Sequence, residues 1–157
     1  MRSGPLRSMR ETRGGNSGAT EEALMAILAG FDVHRAQITF DALNTETGEV
    51  LRGRIRGDRD AVGEWVGQFA GERVEVALEA CTGWLFVYEA LAATGAVAHL
   101  AEPVETRALR GRKRRAKTDR EDARWLRELL AEGRLPEAWI PPEHCVSGAR
   151  GRGCGTR

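Results

Sequence analysis

The spacing of apolar residues changes period several times along the chain, and each change predicts an element. Residues 1–25 carry no apolar period, and Gly14, Gly15, Gly18 and scattered arginines predict a flexible leader, with Met9 and Met25 as alternative starts. Ala26 to Phe31 is a short apolar run ending at Asp32. Ala36 to Ala42 alternates, with Ile38, Phe40 and Ala42 against Gln37, Thr39 and Asp41, the pattern of a half-buried strand. Asn44 to Gly48 is turn chemistry, and Val50, Leu51 and Ile55 then predict a third strand. Three such segments joined by short connections predict an antiparallel meander.

The period then becomes helical. Asp58 or Asp60 can cap a helix carrying Val62, Trp65, Val66 and Phe69 and stopping at Gly71. Val74, Val76 and Leu78 alternate as a strand ending at Glu79. Thr82 is positioned to cap a helix with Leu85, Tyr88 and Leu91 on one face and Gly95 as its stop, and Ala96 to Leu100 forms a fifth strand closed by Pro103. Thr118 and Glu121 form a capping box, which predicts a helix starting at Asp119, with Ala123, Leu126, Leu129 and Leu130 as its stripe and Gly133 as its end. The order is β-β-β-α-β-α-β-α: an α/β fold whose mixed sheet begins as a three-strand meander, continues as alternating α and β, and has flanking helices. It occupies residues 26–143 as one domain. Residues 144–157 have no apolar period and are rich in Gly, Arg and Cys, as an offset reading frame of a GC-rich gene would be, which predicts a disordered, frameshifted tail.

Composition narrows the function. In 157 residues, 41% hydrophobic and 30% charged, there is enough apolar material for a core. No stretch approaches the roughly 20 apolar residues of a membrane span. Three cysteines without a C-x-x-C spacing argue against a disulfide scaffold or zinc ribbon and for a reducing cytoplasm. The formal net charge of +1 conceals a separation. From Glu21 to Glu105 there are 6 Arg/Lys against 15 Asp/Glu, a net of −9, whereas from Arg107 to Arg120 there are 8 Arg/Lys against Asp119 alone, a net of +7. An acidic body with one basic run fits a polyanion partner beside a carboxylate-rich site. A solvated loop is the plainer reading of the same run.

The carboxylates are the candidate chemistry. Asp119 and Asp122 are three residues apart and share the stripe of Ala123 and Leu126, so both are expected on the inward face of their helix. Single acids in a first helical turn are ordinary dipole partners. Two on an inward stripe must be protonated, paired or bound to a metal. Asp32 and Glu79, each ending an apolar strand, could join them, and four clustered carboxylates suit Mg²⁺ and two-metal phosphodiester chemistry.

Four stretches carry a resemblance: Gly30-Phe-Asp-Val-His-Arg35, Leu78-Glu-Ala-Cys-Thr-Gly-Trp84, Lys117-Thr-Asp-Arg-Glu-Asp-Ala123 and Leu135-Pro-Glu-Ala-Trp-Ile-Pro-Pro142. In this order, from about Ile27 to Glu143, the chain resembles the N-terminal domain of IS110-family transposases, the DEDD transposases related to the Piv invertases. The resemblance implies a fold like RuvC resolvases and RNase H. It also implies that Asp32, Glu79, Asp119 and Asp122 are the metal-binding and catalytic tetrad, holding Mg²⁺ or Mn²⁺. Phe31 and Arg35 depart from the family's Gly-Ile-Asp-Val-His-Lys context and leave the acid in place. DNA is the implied partner, a guide RNA a further one, and homo-oligomers of the full-length protein at the bacterial nucleoid the implied setting. Arg107, Arg110, Arg112, Lys113, Arg114, Arg115 and Lys117 would neutralise phosphates beside the metal. The family's serine nucleophile resides in a C-terminal domain, so the resemblance implies a truncated copy, inactive by itself in strand transfer.

Other readings remain open at this level: a non-catalytic nucleic-acid-binding remnant, or a stand-alone RuvC-like nuclease. A sugar-kinase or actin-like ATPase is disfavoured by the lack of a glycine-rich phosphate loop. His34 could face metal or DNA, or be a surface residue, and Glu89 reads as a solvent-facing acid. Trp84, Trp125 and Trp139 read as core or interface residues. His99 and His144 have no ligand partner at metal spacing.

Overall fold

Residues that alternate in the sequence pair in the structure. The computed structural model describes residues 26–111 and 118–140. Strands β1 (Ala26–Val33), β2 (Gln37–Asn44) and β3 (Val50–Arg56) form the antiparallel meander, and β4 (Arg73–Glu79) and β5 (Val97–Ala101) add in parallel on the other side of β1. The strand order is β3-β2-β1-β4-β5. Among the described residues four helices accompany it: α1 (Arg59–Gly67), α2 (Trp84–Ala93), α3 (Pro103–Leu109) and α4 (Asp119–Ala131). A mixed five-strand sheet that begins as a meander and ends in parallel crossovers is the ribonuclease H-like arrangement. The leader, the basic residues Arg112, Lys113, Arg114, Arg115 and Lys117, and the tail lie outside the described residues.

The two faces of the sheet differ in chemistry, and this difference positions the site. One face buries Ile27, Phe31, Ile38, Val76 and Leu78 against Val62 and Trp65 of α1 and Val87 and Leu91 of α2. The Trp65 ring stands edge-on to Phe31 and Phe40 at 4.8 and 5.4 Å between centroids, a favoured aromatic geometry. The opposite face is made of small residues where α4 crosses it, with Ala77 and Ala101 packing on Leu126. Gly30 is the tightest point: a Cβ there would lie 1.9 Å from the Ala123 carbonyl oxygen and 2.7 Å from the Arg127 backbone nitrogen. Glycine at 30 therefore sets how closely α4 approaches β1.

Local signals placed most boundaries. Asp58 caps α1 by accepting from the Ala61 N–H at 2.8 Å, and Thr118 caps α4 by accepting from the Glu121 N–H at 3.2 Å. Three expectations need correcting. Thr82 does not cap α2; the cap position is Gly83, in a left-handed conformation (φ 92°) that glycine adopts without strain. The buried face of α2 is Val87, Ala90 and Leu91, with Leu85 and Tyr88 only half-buried. Pro103 does not merely close β5 but opens the additional helix α3, where its missing N–H is harmless, with Glu102 accepting from the Glu105 N–H at 2.7 Å.

Segment 134–140 returns alongside β5. Ala138 donates its N–H to the Leu100 carbonyl at 2.7 Å, and Glu102 donates to the Pro136 carbonyl at 2.8 Å. His99 joins the two: Nδ1 lies 2.6 Å from Glu137 and Nε2 lies 2.9 Å from Glu75. Only the imidazolium can donate to both carboxylates. Burial works against that charge, yet the hydrogen bonds and charges of Glu75 and Glu137 outweigh it and raise the His99 pKa above its ordinary 6.5. The hydrogen bond from His99, aided by the Arg73 charge, lowers that of Glu75 below 4.5 despite its burial. The stability from His99 is thus complete below pH 6.5 and lost as pH rises through its raised pKa, whereas that from Glu75 is complete above pH 4.5 and lost as pH falls through its lowered one. Thermal melts should therefore show greatest stability between these values, and His99→Gln should flatten the alkaline fall; an unchanged alkaline slope in that variant would refute the assignment.

Candidate metal centre

Strand and helix ends converge at one edge of the sheet. In the parallel pair β1–β4, Phe31 is opposite Leu78, so Asp32 and Glu79 occupy the next positions at the carboxyl ends of neighbouring strands. Asp32 shares its side of β1 with Gly30, because side chains alternate, and that side is covered by α4. The first turn of α4 extends past this edge and brings Asp119 and Asp122 to it. Ends of parallel strands capped by a helix N-terminus are where ligands commonly gather in α/β sheets.

His34 ties part of the cluster together. Its Nε2 lies 2.9 Å from Asp32 Oδ2 and 3.3 Å from Asp119 Oδ1, so one ring nitrogen stands between two carboxylates. One ligand atom from each of Asp32, His34 and Asp119 falls within 4.8 Å of the others. Asp32 has its pKa raised, first by burial and then by the charges of Asp122 and Asp119, against the opposing pull of His34. Although burial opposes its charged form, His34 is held above its ordinary pKa by Asp32 and Asp119. Burial, followed by the charges of Glu79 and Asp32, raises the pKa of the Cys81 thiol, placing both acids in electrostatic reach of one sulfur.

The four acids are not equally engaged. Asp32 and Asp119 meet at His34, while Asp122 is 2.5 Å from Arg110 Nη1, on a guanidinium stacked 5.8 Å above the Trp125 ring. Glu79 lies outside the compact group of ligand atoms and has partners of its own. The expectation that both α4 acids point into the core needs correction. The Asp119 side chain is 40% exposed and that of Asp122 17%, because they lie beyond the sheet edge, while the buried stripe is Ala123, Leu126, Arg127 and Leu129. Of the expected basic residues, Arg110 is at the site on Asp122, and Arg107 is exposed on the last turn of α3.

Sequence reasoning left His34 open between metal, DNA and the surface, and it is the hub of the cluster. One feature escaped that reasoning. Arg127 is buried against Asp41 of β2 at 2.5 Å, and Asp41 also accepts from Arg52 of β3 at 2.6 Å. Nothing in the stripe of α4 betrays this pairing, which spans 86 residues of sequence.

The donor set fits a hard divalent cation. Aspartates offer oxygens, the like charges at Asp32 are only partly compensated, and the His34 nitrogen already holds the position a cation would take between two carboxylates. Among the described residues no helix is long and apolar enough to cross a membrane. None of the curated proteins searched matches the chain. A family model described as a transposase, the DEDD transposase of the IS110 type, matches residues 29–147, a span that begins just before Asp32 and contains all four acids. The chain belongs to the IS110 family of DEDD transposases.

Proposed function

We propose that this domain is the metal-binding half of a site-specific transposase acting on DNA, with Asp32, Glu79, Asp119 and Asp122 as its ligand set. The observation that carries the reading is the meeting of Asp32 and Asp119, one at the end of β1 and the other at the start of α4, around a single histidine nitrogen. Mg²⁺ or Mn²⁺ bound there would supply activation of an oxygen nucleophile and neutralisation of the leaving oxygen. The protein's own residues orient it. β1 presents Asp32 at a rigid strand end, the Thr118 cap fixes the first turn of α4, and Gly30 lets α4 lie close against β1 at Ala123 and Arg127. With a cation held by the acids, His34 would give up its contacts with Asp32 and Asp119, and Arg110 would be free to face phosphate. The basic run from Arg107 to Lys117 supplies the sequence-independent part of DNA affinity. A guide RNA, self-association and a cytoplasmic, nucleoid location belong to the same reading.

The test is Mn²⁺ titration followed by electron paramagnetic resonance on the unaltered chain and on Asp32→Asn and Asp119→Asn. Loss of an outer-shell partner weakens metal sites roughly 10–100-fold, and loss of a ligand should do at least as much. Binding unchanged in both variants would refute the metal site. The Arg110–Asp122 pair favours one second reading, a nucleic-acid-binding module without catalysis in which cationic side chains permanently satisfy the acids. That reading expects no Mn²⁺ binding and DNA binding unchanged in the same variants.

A further inference from the structure

The acidic body contains six basic residues, and five of them, Arg35, Arg52, Arg54, Arg56 and Arg59, fall between positions 35 and 59. The fold sorts them. Arg52, Arg54 and Arg56 alternate along β3, the edge strand, so their side chains share one face of the sheet. Arg52 reaches Asp41, which also holds Arg127 of α4, so this face is the one that α4 covers and Asp32 occupies. Register makes the alignment explicit: Asp32 of β1 is opposite Thr39 of β2, and Thr39 is opposite Arg54 of β3. Arg54 is thus two strand spacings, about 10 Å, from Asp32 on the same face.

Their pairing is unequal. Arg52 is held by Asp41, a carboxylate it shares with Arg127. Arg56 makes only a 3.3 Å contact with Asp58 in which both side chains are exposed, a weak surface pair. Arg54 and Arg35 are exposed and have no ion pair among the described residues. Arg35 follows Asp32 in the β1–β2 turn, beside Gly57 at the end of β3, so it closes the row on the side of the carboxylates. Between Asp32 and Arg54, Thr39 is buried, and its hydroxyl has no hydrogen-bond partner among the described residues. Charges on an edge strand also discourage pairing with other sheets. That role does not require charges of one sign, gathered on the carboxylate face and level with Asp32.

We propose that Arg54 and Arg56, continued by Arg35, form a docking strip for the sugar-phosphate backbone of the DNA strand that enters the Asp32 carboxylate site. The strip is reached from the carboxylates across β2, whereas Arg107 and Arg110 follow β5 on the other side of β1. A strand rising about 3.4 Å per nucleotide would cover the distance from Arg54 to Asp32 in about three nucleotides. Two free guanidiniums and one weakly held one then grip phosphates upstream of the reacting bond, while the tetrad acts at its end. The inference rests on the DNA-acting reading above.

The test is fluorescence-anisotropy titration of a labelled DNA duplex by the full chain over a series of salt concentrations, without divalent metal. R54Q/R56Q should weaken binding roughly 5–10-fold, with the slope of log K against log salt falling by nearly two, since each lost phosphate contact removes about 0.9. R54K/R56K should restore the slope. R73Q, at the amino end of β4 and so at the far edge of the sheet, should leave both unchanged. Equal affinity and slope in R54Q/R56Q and R73Q would overturn the strip while leaving DNA binding intact. Failure of the unaltered chain to bind DNA would overturn the functional reading and the strip together. If R54Q/R56Q weakens binding of an RNA of the same sequence but not of DNA, the strip serves RNA and the proposal fails.

Discussion

Arg127→Met should destabilise the domain by about 3–5 kcal/mol, the usual result of removing one partner from a buried ion pair. Asp41 is 2% exposed, and its two carboxylate oxygens are taken by Arg127 and Arg52. Arg52 is 53% exposed and cannot by itself replace the lost buried guanidinium. Most of the damage is the stranded carboxylate, so it should vanish when the charge is removed with its partner. The double variant Asp41→Leu/Arg127→Met should recover most of the stability, because apolar replacements of buried ion pairs are often neutral or better. Urea denaturation of the two single variants and the double completes the cycle. Additive losses would show that Asp41 and Arg127 do not act as a pair. The pair also bears on the site: it anchors α4 to β2, and α4 carries Asp119 and Asp122.

Gly30→Ala should have a comparable effect through shape alone. The added methyl would stand 1.9 Å from the Ala123 carbonyl oxygen, and that oxygen belongs to helix backbone, so no side-chain rotation relieves the clash. Either α4 lifts or β1 bends, at about 3 kcal/mol or more, the upper range for overpacked cores. Lifting α4 draws Asp119 away from Asp32, so Mn²⁺ affinity should fall even at temperatures where the variant is folded. Gly63→Ala, where the added Cβ meets nothing within 4 Å, is the control: inside helix α1 it should stabilise by up to about 1 kcal/mol and leave Mn²⁺ affinity unchanged. Folded Gly30→Ala with unaltered metal affinity would mean that the spacing of α4 from β1 does not set the centre.

Much of this architecture could be read before any coordinates. Alternation in Gln37–Asn44 and Arg73–Glu79 reflects one face packed on apolar helices and one facing α4, and alternation is a local property of the chain. Caps such as Asp58 and Thr118 act over three residues and are equally local. Asp32 and Glu79 stood at ends of apolar runs, which is why they could be singled out from the other acids. The errors arose where a neighbour in space decided the outcome. Leu85 and Tyr88 fit a helical stripe, but α2 turns Val87, Ala90 and Leu91 to the sheet, because the position of the opposing strands chooses among possible faces.

Period, caps and the order of the motifs specify the elements of this protein, their sequence along the chain and the acids at their ends. Those signals operate within a turn of helix or a few residues of strand, so a single chain displays them directly. Which charges meet is decided by strand register and by how α4 crosses the sheet. The Asp41–Arg127 pair, the bracketing of His99 by Glu75 and Glu137, and the pairing of Asp122 with Arg110 all depend on that crossing and register. The arginines of β3 show the difference most plainly. Summed along the chain they vanish into an acidic segment, whereas at the sheet edge they form a cationic row level with Asp32, because alternation sends every second side chain to the same face.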